Sequence, residues 1–374
     1  MRKARRLRVL HVNLSLEPGG MENGIVNVAN RLPEDEFELF FCCLETGGAF
    51  VERLNHPENV FAFSKAPGFS LSTVWNVMKT VARTSPDVVH PHNLAPLTYA
   101  TLGTFLGFWK PLLQGEHGVF QGEQGSARRL LQRRRLYHCC RKVHTVSEGL
   151  RQYLIAQGFP GNKIVSVVNG VDTARFVPAD RVAIRRQINL PPEATVLGIV
   201  GRFDPNKKHL LLLEAFHRIA EGHPSVHFLI LGDNGSEREN ILAAVEASPC
   251  RSRIHLAGFQ ADPLPWYQAM DLLVMPSPFE GLSNAVLEAM ACAVPVLGNV
   301  ACGNAEVIEH GVDGVLAGLD SVDTLAVEIA RLLDAPKKVR QLAEAARRKM
   351  VERFSINAMV DRYAALYREV AGWG

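Results

Sequence analysis

No stretch of this 374-residue chain is apolar over the roughly 20 residues that a membrane-spanning helix requires. The basic start, Met1 to Arg8, meets an apolar segment at Val9 to Val12 that is too short for a signal-peptide core, so a strand is expected there. Cysteine is sparse and unpatterned. The seven cysteines include adjacent pairs at Cys42-Cys43 and Cys139-Cys140 but no C-x-x-C spacing. An odd count among apolar neighbours reads as reduced, mostly buried thiols of a cytosolic protein, with no metal site. No Asp-x-Asp occurs, and no G-x-G-x-x-G followed by an acidic strand end, which argues against a nicotinamide enzyme. Net charge is only +3, so any basic surface must be local.

Length and composition are those of a globular protein, with 47% hydrophobic and 21% charged residues. At about 150 residues per domain, two domains are expected. Short apolar runs alternate with longer helical patterns, which predicts α/β domains with parallel sheets. The first set of strands is expected at Leu7–Asn13, Glu38–Leu44, Asp87–His90, Pro111–Glu116, Val143–Val146 and Ile164–Val168. The second is expected at Val196–Gly201, His227–Gly232, Ile254–Ala257, Leu272–Met275 and Val294–Leu297. The proline-rich, charged stretch Asp172 to Pro192 places the boundary near residue 178. In open α/β sheets ligands bind beyond the carboxyl ends of strands, and most of the notable residues here fall at such ends.

The most informative segment is Phe279 to Met290. Glu280 and Glu288 stand eight positions apart, and Gly281, Leu282, Ser283 and Asn284 follow the first glutamate. Pro276 to Pro278 breaks a strand and Asn284 opens a helix, so Glu280 belongs to a loop feeding a helix N-terminus, where backbone N–H groups attract phosphate. Read alone, the pair is more simply a helix-entry charge at Glu280 and a solvated surface residue at Glu288. A second cluster, Gly201-Arg202-Phe203-Asp204-Pro205-Asn206-Lys207, follows a strand and offers a guanidinium fork and a mobile ammonium to one anion. Its alternative is a plain basic turn.

Together these segments resemble glycosyltransferase family 4. Glu280 and Glu288 match its E-x7-E motif, and Gly201, Arg202 and Lys207 match its Gly-Arg-x-x-x-x-Lys motif. The resemblance implies a GT-B fold: two Rossmann-like domains with parallel sheets facing across a cleft. It divides the chain into an acceptor domain at 1–178, a nucleotide-sugar domain at 179–355, and a helix at 356–374 returning to the first domain. It implies a retaining, metal-independent hexosyltransferase with no cofactor. Arg202 and Lys207 would bind the donor diphosphate, Glu280 and the amides of Gly281 to Asn284 the sugar and phosphate, and Glu288 the ribose. Gly19 and Gly20, in Pro18-Gly19-Gly20-Met21-Glu22, match the family's loop between donor phosphates and acceptor. His117 would stand beside the donor sugar. His90 and His92 border the acceptor pocket or serve the scaffold. Phe259 lies where a base could pack, although an aromatic core residue is the simpler reading.

The chain departs from the family at Ala293 and Asn234, where glycine is usual. The runs Gly-Gly-Met-Glu-Asn-Gly, Gly-Glu-His-Gly and Glu-Gly-Leu-Ser-Asn are similar to bacterial transferases of exopolysaccharide assembly. UDP is the donor nucleotide expected from family frequency, and a glycan or lipid-linked saccharide the acceptor. Rival readings are a GT-B nucleotide-sugar epimerase and a family 4 sugar phosphorylase.

The local basicity lies at Ser126 to Lys142, where Arg128, Arg129, Arg133, Arg134, Arg135, Arg141 and Lys142 interleave with leucines. Such a helix either contacts anionic lipid from the cytoplasmic side or packs by its leucines with the arginines in water. Nucleic acid is a poorer partner, since no stacking aromatics accompany the arginines.

Overall fold

A computed structural model describes residues 5–106, 109–118, 120, 122–278, 282–300 and 302–373. The chain forms two compact units. Residues 1–169 with 356–374 make the first, and 170–355 the second.

In the first unit the strands are β1 (Leu7–Asn13), β2 (Phe37–Cys43), β3 (Val60–Ala62), β4 (Val88–Pro91), β5 (Leu113–Glu116), β6 (Lys142–Thr145) and β7 (Ile164–Ser166). They run parallel in the order β3-β2-β1-β4, and bridges at Val89–Leu112 and His92–Gly115 continue the order into β5-β6-β7. Helices α1 (Gly20–Ala29), α2 (Leu71–Thr84), α3 (Leu94–Leu106), α4 (Ala127–Cys139) and α5 (Glu148–Ala156) alternate with them. Four of the seven β1 residues are apolar and six of the seven are buried, as expected of a central parallel strand covered on both faces. Local signals fix the helix starts. The Ser70 and Ser147 hydroxyls accept from the N–H groups of Thr73 and Leu150, at 3.2 and 3.1 Å.

The second unit holds β8 (Thr195–Val200), β9 (Val226–Leu231), β10 (Ile254–Gly258), β11 (Leu272–Met275), β12 (Val296–Asn299) and β13 (Val315–Ala317), all parallel in the order β10-β9-β8-β11-β12-β13. Its helices are α6 (Arg181–Gln187), α7 (His209–Ile219), α8 (Arg238–Glu246), α9 (Leu264–Ala269), α10 (Asn284–Ala291), α11 (Cys302–Val307), α12 (Val322–Leu333) and α13 (Pro336–Arg353). The last helix, α14 (Ile356–Ala371), belongs to the first unit. Its Met359, Val360, Tyr363 and Tyr367 share a core with Leu7, Val9 and Val88.

Each strand expected from sequence is present, with ends shifted by two residues at most. The two that pattern reading misses, β3 and β13, are three-residue sheet edges, too short to show periodicity. The compact units divide at 169/170, a few residues before the boundary expected near 178. Residues 171–176 are held by the second unit: Val171 N–H donates to the Phe354 carbonyl at 2.8 Å, and Arg347 donates to the carbonyls of Thr173 and Phe176. The six described cysteines with placed side chains, Cys42, Cys43, Cys139, Cys140, Cys250 and Cys292, are all free.

Candidate active site

Both sheets reverse their strand order once, and those are the points where a parallel sheet opens a crevice at its carboxyl edge. In the second unit the reversal lies between β8 and β11, which pair through Leu272–Leu197 and Leu273–Gly198. The segment carrying Arg202 and Lys207 leaves β8, and the segment leading to Glu288 leaves its neighbour β11. Two motifs about 80 residues apart in sequence are thereby brought to one crevice.

Backbone lacing shapes the β8 side. Gly201 N–H donates to the Leu231 carbonyl at 3.0 Å, and Gly232 N–H to the Gly258 carbonyl at 2.9 Å. Gly201 has φ +154, and a Cβ there would stand 3.2 Å from Cδ and Cε of Lys207, so the glycine gives the lysine stem its path. Arg202 extends into solvent with its side chain 71% exposed, and Asp204 accepts from it at 2.6 Å. Asn234 sits at φ +57. Asparagine tolerates this left-handed geometry, so the departure from glycine is accommodated. At Gly232 no such tolerance exists. Its φ is +142, and an added Cβ would overlap the Gly201 carbonyl. Gly232→Ala is expected to cost about 1–3 kcal/mol of stability from forced backbone strain. It should also weaken nucleoside diphosphate binding by moving the β8 loop, both readable by urea titration and calorimetry.

On the β11 side, Phe279, Glu280 and Gly281 lie outside the described residues. Leu282 and Ser283 are buried, and Ser283 is the N-cap residue of α10, which begins at Asn284. Glu288 is half-buried, and the hydroxyl of buried Tyr267 hydrogen-bonds its carboxylate. Burial and this carboxylate together push the Tyr267 pKa well above its ordinary value. The Asn299 amide at the end of β12 donates to the Pro276 carbonyl at 3.2 Å and so pins the start of the loop. Phe259 is 54% exposed just after β10, which corrects the expectation of a core aromatic.

Ala293 ends α10 at φ +55. Its N–H donates to the Met290 carbonyl and that of Val294 to the Ala289 carbonyl, a left-handed helix cap in which glycine is the unstrained residue. Ala293→Gly is therefore expected to raise stability by about 0.5–1 kcal/mol, the difference between a left-handed penalty and the greater chain entropy of glycine. A rise in urea midpoint measures it.

In the first unit, Gly19 and Gly20 stand at the start of α1, and the Glu22 carboxylate folds back to where a Gly19 Cβ would lie. His117 follows β5 but is not isolated. Its Nε2 lies 2.9 Å from His92 Nδ1, His92 Nε2 lies 2.9 Å from His11 Nδ1, and His90 Nε2 lies 2.8 Å from His144 Nε2. The Tyr367 hydroxyl from α14 bridges His90 Nδ1 at 2.9 Å and His11 Nε2 at 3.3 Å. Gly115 leaves room for this chain, since a Cβ there would sit 2.8 Å from nitrogens of both His92 and His144. Burial keeps the imidazoles neutral, holding His117 at about 4 and His11 at about 3, with His90, His92 and His144 well below their ordinary value. His90 and His92 are both buried within this chain. His11, His144 and Tyr367 were invisible to pattern reading, because nothing in their spacing marks them as neighbours.

The basic segment also divides. Arg133 is buried, 3.7 Å from the Glu116 carboxylate, with its guanidinium 3.8 Å from the Phe120 ring centroid. It is a scaffold residue and not part of a basic surface. Glu116 in turn accepts from the Tyr137 hydroxyl at 2.6 Å.

Residues 18–175 match the family described as Glycosyltransferase Family 4, and residues 180–349 that described as Glycosyl transferases group 1. A D-inositol 3-phosphate glycosyltransferase of Thermobispora bispora is 27% identical over 389 residues, 94% of this chain and 90% of the relative. A second protein of that description, from Segniliparus rotundus, is 32% identical over 224 residues, and the match spans 49% of that relative's length. The UDP-Gal:alpha-D-GlcNAc-diphosphoundecaprenol alpha-1,3-galactosyltransferase of Escherichia coli is 23% identical over 375 residues, 97% of each chain. Among solved structures, Anabaena HepE in complex with UDP superposes with a TM-score of 0.85 at 22% identity, covering 97% of this chain and all of HepE. The two matched segments abut between residues 175 and 180, a few residues past the division of the units at 169/170, and each unit is a parallel α/β domain with its marked residues at strand ends. The chain belongs to the family 4 glycosyltransferases and has their GT-B fold.

Proposed function

We propose that this glycosyltransferase moves a hexose from a UDP-sugar to a glycan or lipid-linked saccharide in bacterial polysaccharide assembly, with retention of anomeric configuration and without a metal. The observation that supports the reading is that β8 and β11 are neighbours, so the segment with Arg202 and Lys207 and the segment leading to α10 leave adjacent strand ends and offer a guanidinium, an ammonium and a helix N-terminus. Such a set neutralises a departing diphosphate. HepE is named as binding UDP, and the E. coli relative as a UDP-galactose enzyme acting on a diphosphoundecaprenol-linked sugar; both support the donor and acceptor classes.

In this reading Arg202 and Lys207 hold the diphosphate, and Glu280 the donor-sugar hydroxyls. Glu288 takes the ribose. The acceptor oxygen forms its bond to the anomeric carbon as the bond to the diphosphate breaks on the same face. The acceptor proton passes to the leaving phosphate oxygen. The protein contributes position and charge stabilisation, and no protein nucleophile is used.

A panel of UDP-, GDP- and ADP-sugars, read by calorimetry and by slow nucleotide release without acceptor, tests this. Selective binding of one UDP-sugar with release of UDP is expected. Interconversion of the sugar without release, or no binding of any nucleotide sugar, would overturn it.

A further inference from the structure

Helices α2, α3 and α4 bury their inner faces in one core with β1, β4 and β6. They are also tied to each other. Ser70 N–H donates to the Tyr99 hydroxyl of α3 at 3.0 Å, and Phe69 stacks on the Tyr99 ring with centroids 5.7 Å apart. Gly103 of α3 meets α2 so closely that a Cβ would stand 2.8 Å from Val77 Cγ1. Gln132 of α4 donates to Thr98 of α3 at 3.1 Å. Their outer faces are therefore neighbours.

Those outer faces are unusual in two respects. Leu71 and Trp75 of α2, Phe105 and Leu106 of α3, Trp109 beyond it and Leu131 of α4 are 48–76% exposed. In the second unit Phe259 is the one exposed phenylalanine or tryptophan among the described residues. Secondly, none of the three helices contains an aspartate or a glutamate, whereas Lys79, Arg83, Arg128 and Arg135 are exposed on them. Lys79 Nζ sits 5.4 Å from the Trp75 ring centroid, so cation and aromatic share one spot on the surface.

We propose that this face docks the protein on an anionic lipid bilayer. Tryptophan and phenylalanine place amphipathic rings at headgroup level, while lysine and arginine meet lipid phosphates, and helices without acidic residues let both approach. Among the described residues no helix is long and apolar enough to cross a membrane, so the contact is peripheral. The apolar anchors are on α2, α3 and Trp109; the arginines of α4 supply the charge beside them. The proposal stands independently of the donor chemistry.

Flotation of the purified protein with phosphatidylcholine vesicles, with and without phosphatidylglycerol, tests it. Binding to the anionic vesicles that falls with added salt is expected. Trp75→Ser with Trp109→Ser should lower binding at least about tenfold through lost interfacial area. Val327→Ser, at an exposed apolar site on α12, should leave it unchanged. Circular dichroism confirms that each variant is folded. A wild-type protein that stays in the lipid-free fraction would overturn the proposal, as would a double variant that floats equally well. Self-association that the same serines abolish, without vesicle binding, would assign the face to a second copy.

Discussion

Acidification from pH 7 to pH 5 is expected to remove most of the stability of the first unit. The chain of His11, His90, His92, His117 and His144 is held neutral by burial, so the folded state takes up protons only near pH 4 and below. The unfolded chain takes them up near the ordinary histidine value of about 6.5. The folded values are depressed, so the stability is fully present above about pH 6.5 and lost as pH falls from there toward 4. Each neutral imidazole contributes about 1.4 kcal/mol per pH unit within that window. By pH 5 five acting together are on the order of the whole stability of about 5–15 kcal/mol typical of a domain. Urea titrations at pH 7.5, 6.5 and 5.5 measure the slope, which should steepen as pH falls and approach uptake of about four to five protons on unfolding near pH 5.5. A slope of one proton or fewer near pH 5.5 would mean that the imidazoles are solvated or charged in the folded protein. The exposed His56 is expected to act in the opposite sense, because Glu58 and Glu34 raise its pKa.

The second large effect falls on catalysis. Lys207→Ala is expected to lower turnover by about 10²–10³-fold, the scale of losing one charge-stabilising donor at a developing anion. The loss should appear mainly in kcat, because the charge on the leaving diphosphate grows as the sugar bond breaks. Arg202→Lys should retain more activity than Arg202→Ala, but less than wild type, since an ammonium lacks the guanidinium fork. Arg202 is exposed and its partner Asp204 lies two residues away on the same turn, so its substitution should leave the melting temperature nearly unchanged. Glu280→Ala should likewise abolish transfer without unfolding the protein. Wild-type turnover in purified Lys207→Ala and Glu280→Ala would remove both residues from the site.

Much of this protein is written locally in its chain. Alternating short apolar runs and helical patterns suffice to give two parallel α/β domains, because burial on both sheet faces demands continuous apolar strands. The Gly-Arg-x-x-x-x-Lys and E-x7-E segments are legible because each holds its residues within a single loop or helix start. The cost at Ala293 was foreshadowed by a residue type that fits its backbone poorly.

Other properties arise only when distant segments meet. The pairing of β11 with β8 brings the two motif-bearing segments to one edge, and hydrogen bonding between strands far apart in sequence has no local signature. The division at 169/170 depends on Arg347 reaching back to Thr173 and Phe176. Arg133 looks like its solvated neighbours in sequence, and it is buried because Glu116 and Phe120 happen to face it. The histidine chain needs β1, β4, β6 and a tyrosine from the final helix, 356 positions from His11. Composition and spacing fixed which residues could serve; packing decided which of them are neutral, which are exposed, and which stand together, because burial and proximity are properties of the folded surface and not of the chain.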